Sequence, residues 1–149
     1  MSDKILVSEP YGTIYLASEV PCLIIQWHSF ANSDQLRYLM NETLRQYVAE
    51  YWRHPGPLGW VADSRHLGAI KPSDQQWLDT DWNPRTYAAG VRHIAIVEAE
   101  TIFGKISAQQ YVTNVMQSDD YTFQTRYVPT LEAAKDWLQE ALPTSLLSS

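Results

Sequence analysis

The period of the hydrophobic positions changes repeatedly along the chain, and each change marks an element. Ile5 to Ser8, Ile14 to Ala17 and Cys22 to Trp27 are short apolar runs separated by Glu9-Pro10-Tyr11-Gly12 and Ser18-Glu19-Val20-Pro21. Both separators are turn-forming sequences, so the pattern predicts three antiparallel strands in series. From Ser33 the spacing becomes helical, with Leu36, Leu39, Met40, Leu44, Tyr47, Val48 and Tyr51 opposite Arg37, Asn41, Glu42, Arg45 and Glu50. Ser33 is the expected N-cap, and Pro55-Gly56-Pro57 requires the helix to stop by His54. Gly59-Trp60-Val61-Ala62-Asp63 predicts a buried strand. A second helix is expected to begin near Ser73, capped by Ser73 with Gln76 completing a capping box. Pro84 is expected to break or kink it, and a short turn over Arg85 to Ala89 to end at Gly90. His93-Ile94-Ala95-Ile96-Val97 predicts another buried strand. Ser107 is the expected cap of a third helix whose apolar face holds Tyr111, Val112, Val115 and Met116. Tyr121, Phe123, Thr125 and Tyr127 alternate as in a half-exposed strand, and Thr130 opens a last helix striped by Leu131, Ala134, Leu138, Ala141 and Leu142.

The order β-β-β-α-β-α-β-α-β-α places this chain in the α/β class. Strand-helix-strand units require parallel neighbours joined by right-handed crossovers, while the leading strands pair antiparallel. The expectation is a mixed sheet of about six strands covered by four helices. No repeat or linker divides the 149 residues, which match the roughly 150 expected of a domain, so one domain over residues 1–142 and a frayed Ser-rich tail over 143–149 are predicted.

Composition narrows the function classes. Eleven Lys and Arg against seventeen Asp and Glu leave a net charge of −6, which opposes binding to a phosphate backbone, so no nucleic-acid partner is expected. The longest apolar run, Val20 to Trp27, is interrupted by Pro21 and Gln26 and falls short of the ~20 residues of a membrane span. Met1-Ser2-Asp3-Lys4-Ile5 shows no leader pattern, which predicts a cytoplasmic protein. Cys22 is the only cysteine and sits in Cys22-Leu23-Ile24-Ile25, as a buried, inert thiol would. The histidines at 28, 54, 66 and 93 lack zinc-type spacing, and nucleophile-elbow, Walker and dinucleotide glycine patterns are missing. No metal, no cofactor and no enzymatic activity are therefore expected.

The segment from Trp60 to Val97 resembles the STAS type, the SpoIIAA-like anti-sigma-factor antagonists and their bacterial relatives. The likeness is carried by element order, by a strand ending in Asp63, and by a loop of about ten residues leading to Ser73. Asp74-Gln75-Gln76-Trp77, Trp82-Asn83-Pro84 and Gly90-Val91-Arg92 look more like a divergent, uncharacterised branch. The resemblance implies a regulatory domain, phosphorylated by a partner kinase at the position of Ser73, that docks on an anti-sigma-like regulator.

Several residues carry two readings. Ser73 either caps its helix, which is worth about 1 kcal/mol, or accepts a phosphate that meets the positive end of the helix dipole. His28, Asp63, Arg65, His66 and Glu98 all follow or end predicted strands, and the carboxyl ends of such strands are where ligands bind in open α/β sheets. Asp63 is otherwise a loop-ordering acceptor with Arg65 as its partner. Trp77 and Trp82 either pack in the core or anchor a protein interface, and Tyr47, Tyr51 and Trp52 allow the same pair of readings. The six Trp, nine Tyr and three Phe also allow a pocket for a small apolar ligand or lipid. An exposed edge around Tyr121 to Tyr127 would support a homodimer. The leading expectation is a non-enzymatic STAS-like signalling or interaction module. The alternative is a module for a small apolar ligand, which a cavity would favour over an exposed Trp77 or Trp82 patch beside Ser73.

Overall fold

The computed structural model describes residues 3–143; the expected tail beyond Pro143 lies outside the described residues. Six strands form one sheet in the order β1 (Lys4–Glu9), β2 (Gly12–Ala17), β3 (Cys22–Trp27), β4 (Gly59–Asp63), β5 (His93–Val97) and β6 (Gln124–Val128). The first three are antiparallel and β3 to β6 are parallel, which is the mixed α/β sheet that the sequence pattern predicts.

The helices are α1 (Ser33–Arg53), α2 (Pro72–Trp77), a π-helical turn (Leu78–Trp82), α3 (Asn83–Ala88), α4 (Ile102–Gln117) and α5 (Leu131–Ala141). α2, the π turn and α3 form one continuous helical stretch, so the helical layers contain four rods. Pro84 does not break this stretch. It falls in the first turn of α3, where its missing N–H costs little, and the irregularity lies just before it, where the Asn83 N–H reaches back five residues to Leu78 O.

Sequential parallel strands with right-handed crossovers put their connecting helices on one side. Side chains of α1, the π turn and α4 gather there with Leu23, Ile25, Trp27, Trp60, Ile94 and Ile96. The other side carries α5 alone, packed on Ala17, Cys22, Ile24, Val61, Ala95 and Val97 through Ala134 and Leu138. Cys22 is buried there, and burial pushes its thiol up to about 12.

Two predicted caps are corrected. α1 is capped by Asn32, whose Oδ1 accepts from Gln35 N–H while the Gln35 side chain accepts from Asn32 N–H. Ser33 is instead the first helical residue, and its hydroxyl donates to Asp74 at 2.7 Å. α4 is capped by Thr101, which accepts from Gly104 N–H, six residues before Ser107. Ser107 is buried within α4 and accepts from Ile70 N–H at 2.8 Å. Tyr121 and Phe123 are buried in the approach to β6 rather than alternating within it, and Met116 is exposed. No helix among the described residues is long and apolar enough to cross a membrane.

Candidate functional site

Strand alternation sends Asp63 to the α5 side of the sheet, and its side chain is buried. Arg65, two residues on, grips it through Nε at 2.9 Å and Nη2 at 2.8 Å, and Gln26, its register partner on β3, donates a third bond at 2.9 Å. Burial pushes the Asp63 carboxyl up, but these hydrogen bonds and the guanidinium charge outweigh it and hold the group below the usual carboxylate range. A carboxylate so firmly ionised and saturated with donors is poorly poised for proton transfer, and its evident role is to order the loop after β4. His28 pairs with Thr13 at 2.8 Å, His66 pairs with Glu100 at 2.8 Å on the surface, and the Glu98 side chain is exposed. The predicted rim is thus divided into separate pairs, and among the described residues no three His, Cys, Asp or Glu side chains gather as metal ligands.

Ser73 is exposed at the second position of α2 and does not cap it, because Pro72 starts the helix one residue earlier. Proline suits that first position, with φ preset and no N–H to satisfy, which moves the cap to Lys71, and no side chain bonds there. The next residue, Asp74, is buried and accepts from Ser33 Oγ at 2.7 Å and from Arg37 Nε at 3.1 Å, tying α2 to α1. Arg37 in turn lies over the half-buried Trp77 ring, 5.1 Å from its centroid. Trp82 is buried, donates from Nε1 to Met40 O, and meets Trp60 edge-on at 5.2 Å. The reading of Trp82 as a surface anchor is therefore overturned, since its place one residue before α3 turns it into the core.

On the three-helix side an apolar cavity of about 60 Å³ lies between the sheet and the helices. Trp27, Trp60 and Ala62 line it from the sheet, Met40 from α1, and Trp82 from the π turn. Tyr111 and Ala108 of α4 close it opposite, and Ser64, Leu67, Gly68 and Gly104 form its end near the carboxyl ends of β4 and β5. Gly104 lets the first turn of α4 fold tightly onto the segment that leads into it: a Cβ there would lie 2.7 Å from Ala99 Cβ. Around Gly104, the first turns of α4 leave Ile102, Phe103 and Ile106 exposed.

Behind the cavity runs a chain of polar contacts that sequence reasoning missed. Tyr111 donates to Asn83 Oδ1 at 2.9 Å, Asn83 Nδ2 donates to the Tyr121 hydroxyl at 2.9 Å, and Tyr121 donates to Asp79 Oδ1 at 2.5 Å. Burial raises both tyrosines, Tyr121 to about 12 with help from Asp79, so both remain protonated donors at neutral pH. The π turn sets the helical phase between Asp79 and Asn83 in this chain. A hint was present in the sequence, since Asn83 is a polar residue next to Trp82, for which core packing was one of the two readings.

Compared with protein-family models, with curated proteins and with solved structures, the chain has no match in any of the three.

Proposed function

We propose that this protein is a binding module that takes a small apolar group into the cavity beneath the loop from Ser64 to Ile70. The observation that carries this reading is the cavity itself, walled by Trp27, Trp60 and Trp82 and reaching at one end the carboxyl ends of β4 and β5, where open α/β sheets place their ligands. At about 60 Å³ it is smaller than the roughly 150 Å³ void that holds benzene in an engineered core, so it suits the end of a short chain.

The test is a titration of the protein with 1-hexanol, reading the indole N–H signals of Trp60 and Trp82 by NMR. Saturable shifts in the wild type that disappear in Ala108→Leu, which fills the cavity, support the reading. Shifts that never saturate, or that persist unchanged in the filled variant, refute it.

The exposed turn of α4 favours a second reading, in which the apolar group belongs to a partner protein and the domain is a STAS-like interaction module. Exposure of Ser73 keeps it accessible to a kinase in that case. Matched capture with wild type and Ser73→Asp tests it: a partner retained several-fold differently supports the switch, and identical partners remove it.

A further inference from the structure

Apolar side chains stand exposed at both ends of α4. Ile102, Phe103 and Ile106 in its first turns and Met116 in its last are each more than half exposed, and Gln109 and Thr113 between them also face outward. Ile102, Ile106, Gln109, Thr113 and Met116 are separated by alternating steps of four and three residues, the spacing by which helices pair lengthwise. A contiguous apolar face of this kind marks an interaction surface more often than scattered exposed residues do. Lys105 is the single charged residue of α4. In a chain with a net charge of −6, this is a face on which two copies meet with little repulsion.

Alongside the exposed row, between α4, α2 and the π turn, runs an open groove of about 440 Å³. Ile70, Pro72 and Asp79 line one bank, and Ile106, Gln110 and Asn114 line the other. A ridge with a groove beside it is complementary to itself after a two-fold rotation. The charges agree with that symmetry. Asp79 is the only charged residue among the described residues that line the groove, and neither Asp79 nor Lys105 forms an ion pair among the described residues. An axis between Gln109 and Gln110, at the middle of α4, sets two helices antiparallel and exchanges positions equally far from that middle. Lys105 of one copy then comes level with Asn114 of the other, across the groove from Asp79, and Phe103 comes level with Met116.

From this arrangement we infer that the chain forms a two-fold dimer through α4, which gives its exposed face to a second copy in place of an unlike partner. Lys105 of each copy pairs with Asp79 of the other in a charge-assisted contact, and the Met116 thioether packs on the Phe103 ring of the other copy.

Sedimentation equilibrium of the full chain from about 1 to about 500 µM is the test, and a dimer with a dissociation constant on the order of 10 µM is expected. Ile106→Glu, at an exposed position, should give a folded monomer across that range. Lys105→Glu should weaken the dimer about a hundredfold, because symmetry removes the ion pair twice at about tenfold each, and Lys105→Glu with Asp79→Lys should restore most of the loss. If variants at Asp79 fail to fold, the wild type supplies the same information. A carbodiimide added to a mixture of ¹⁴N- and ¹⁵N-labelled protein should join Lys105 of one copy to Asp79 of the other, giving a mixed-isotope cross-link in mass spectrometry. A monomer at every concentration, which leaves the face to an unlike partner, would overturn the inference. So would a dimer indifferent to Ile106→Glu and Lys105→Glu, or one that lacks the mixed-isotope cross-link.

Discussion

On the α5 side of the sheet the strands present Ala17, Cys22, Val61, Ala95 and Val97, whereas on the other side they present Leu23, Trp27, Trp60, Ile94 and Ile96. Small side chains let a single helix come close: a Cβ at Gly59 would stand 2.9 Å from Leu138 Cδ2. Large rings hold three helical rods further out and meet at angles, as the 74° between Trp60 and Trp82 shows, and the space they fail to fill is the cavity. The difference lies in shape: the mostly small and β-branched strand residues let Ala134 and Leu138 of α5 pack close, while stiff aromatic plates leave room for a guest.

The largest expected effect falls on the dense side. Leu138→Ala removes a buried side chain from a layer one helix thick and should lower stability by about 3 to 4 kcal/mol in chemical denaturation. Arg65→Met comes next. It leaves the buried Asp63 charge with Gln26 as its remaining side-chain donor, at a cost of about 2 kcal/mol at pH 7, modest because the Arg65 side chain is 38% exposed. The Asp63 carboxyl lies below its ordinary value in the folded protein, so its contribution is complete above pH 3.8 and is lost as pH falls through the folded value. The deficit of Arg65→Met should therefore narrow in acid, and a constant deficit across that range would contradict the assigned pairing.

The sharpest test of the contrast uses one substitution on each face. Ala95→Val overfills the α5 side and should cost about 1 to 2 kcal/mol, whereas Ala62→Val grows into the cavity and should be neutral or stabilise by about 0.5 kcal/mol. Matching losses would mean that the two faces are equally full. The smallest effect concerns His93, buried on the α5 side near Trp137 and shifted downward by that burial. A histidine held below its unfolded value stabilises fully above about pH 6.5 and loses that contribution as pH falls through the folded value. His93→Leu should remove a slope of under about 1 kcal/mol from the stability curve in that acid range.

Elements whose residues contact only near neighbours and the sheet core were legible in the sequence. β3, β4 and β5 begin and end at the residues that the apolar runs predict, and α1 stops where Pro55-Gly56-Pro57 requires. Two of the three misplaced caps share a cause in contacts distant along the chain, while Ser73 lost its place to the neighbouring Pro72. Ser33 serves Asp74 and Ser107 serves Ile70, 41 and 37 residues away, so local capping rules assigned hydroxyls that tertiary structure uses elsewhere. The start of α4 was hidden for another reason: Ile102, Phe103 and Ile106 are apolar yet exposed, which breaks the pattern that marks a helix facing a core. Of the candidate site, the Asp63–Arg65 pair was visible and the cavity was not, because a void is a shortfall of volume among residues that each look like ordinary core. The Asp79 chain depends on the phase of the π turn, which no propensity announces.

The sheet is laid down in the order in which its strands are synthesised, with β1 to β6 side by side in sequence order. The three-helix side is covered progressively, since each crossover helix emerges before the strand that follows it. The opposite side has no cover until α5, made after every strand. While the ribosome works between Val61 and Leu131, a growing apolar surface that already includes Ile24 stays bare, and the nascent chain depends on whatever shields it until an eleven-residue helix arrives.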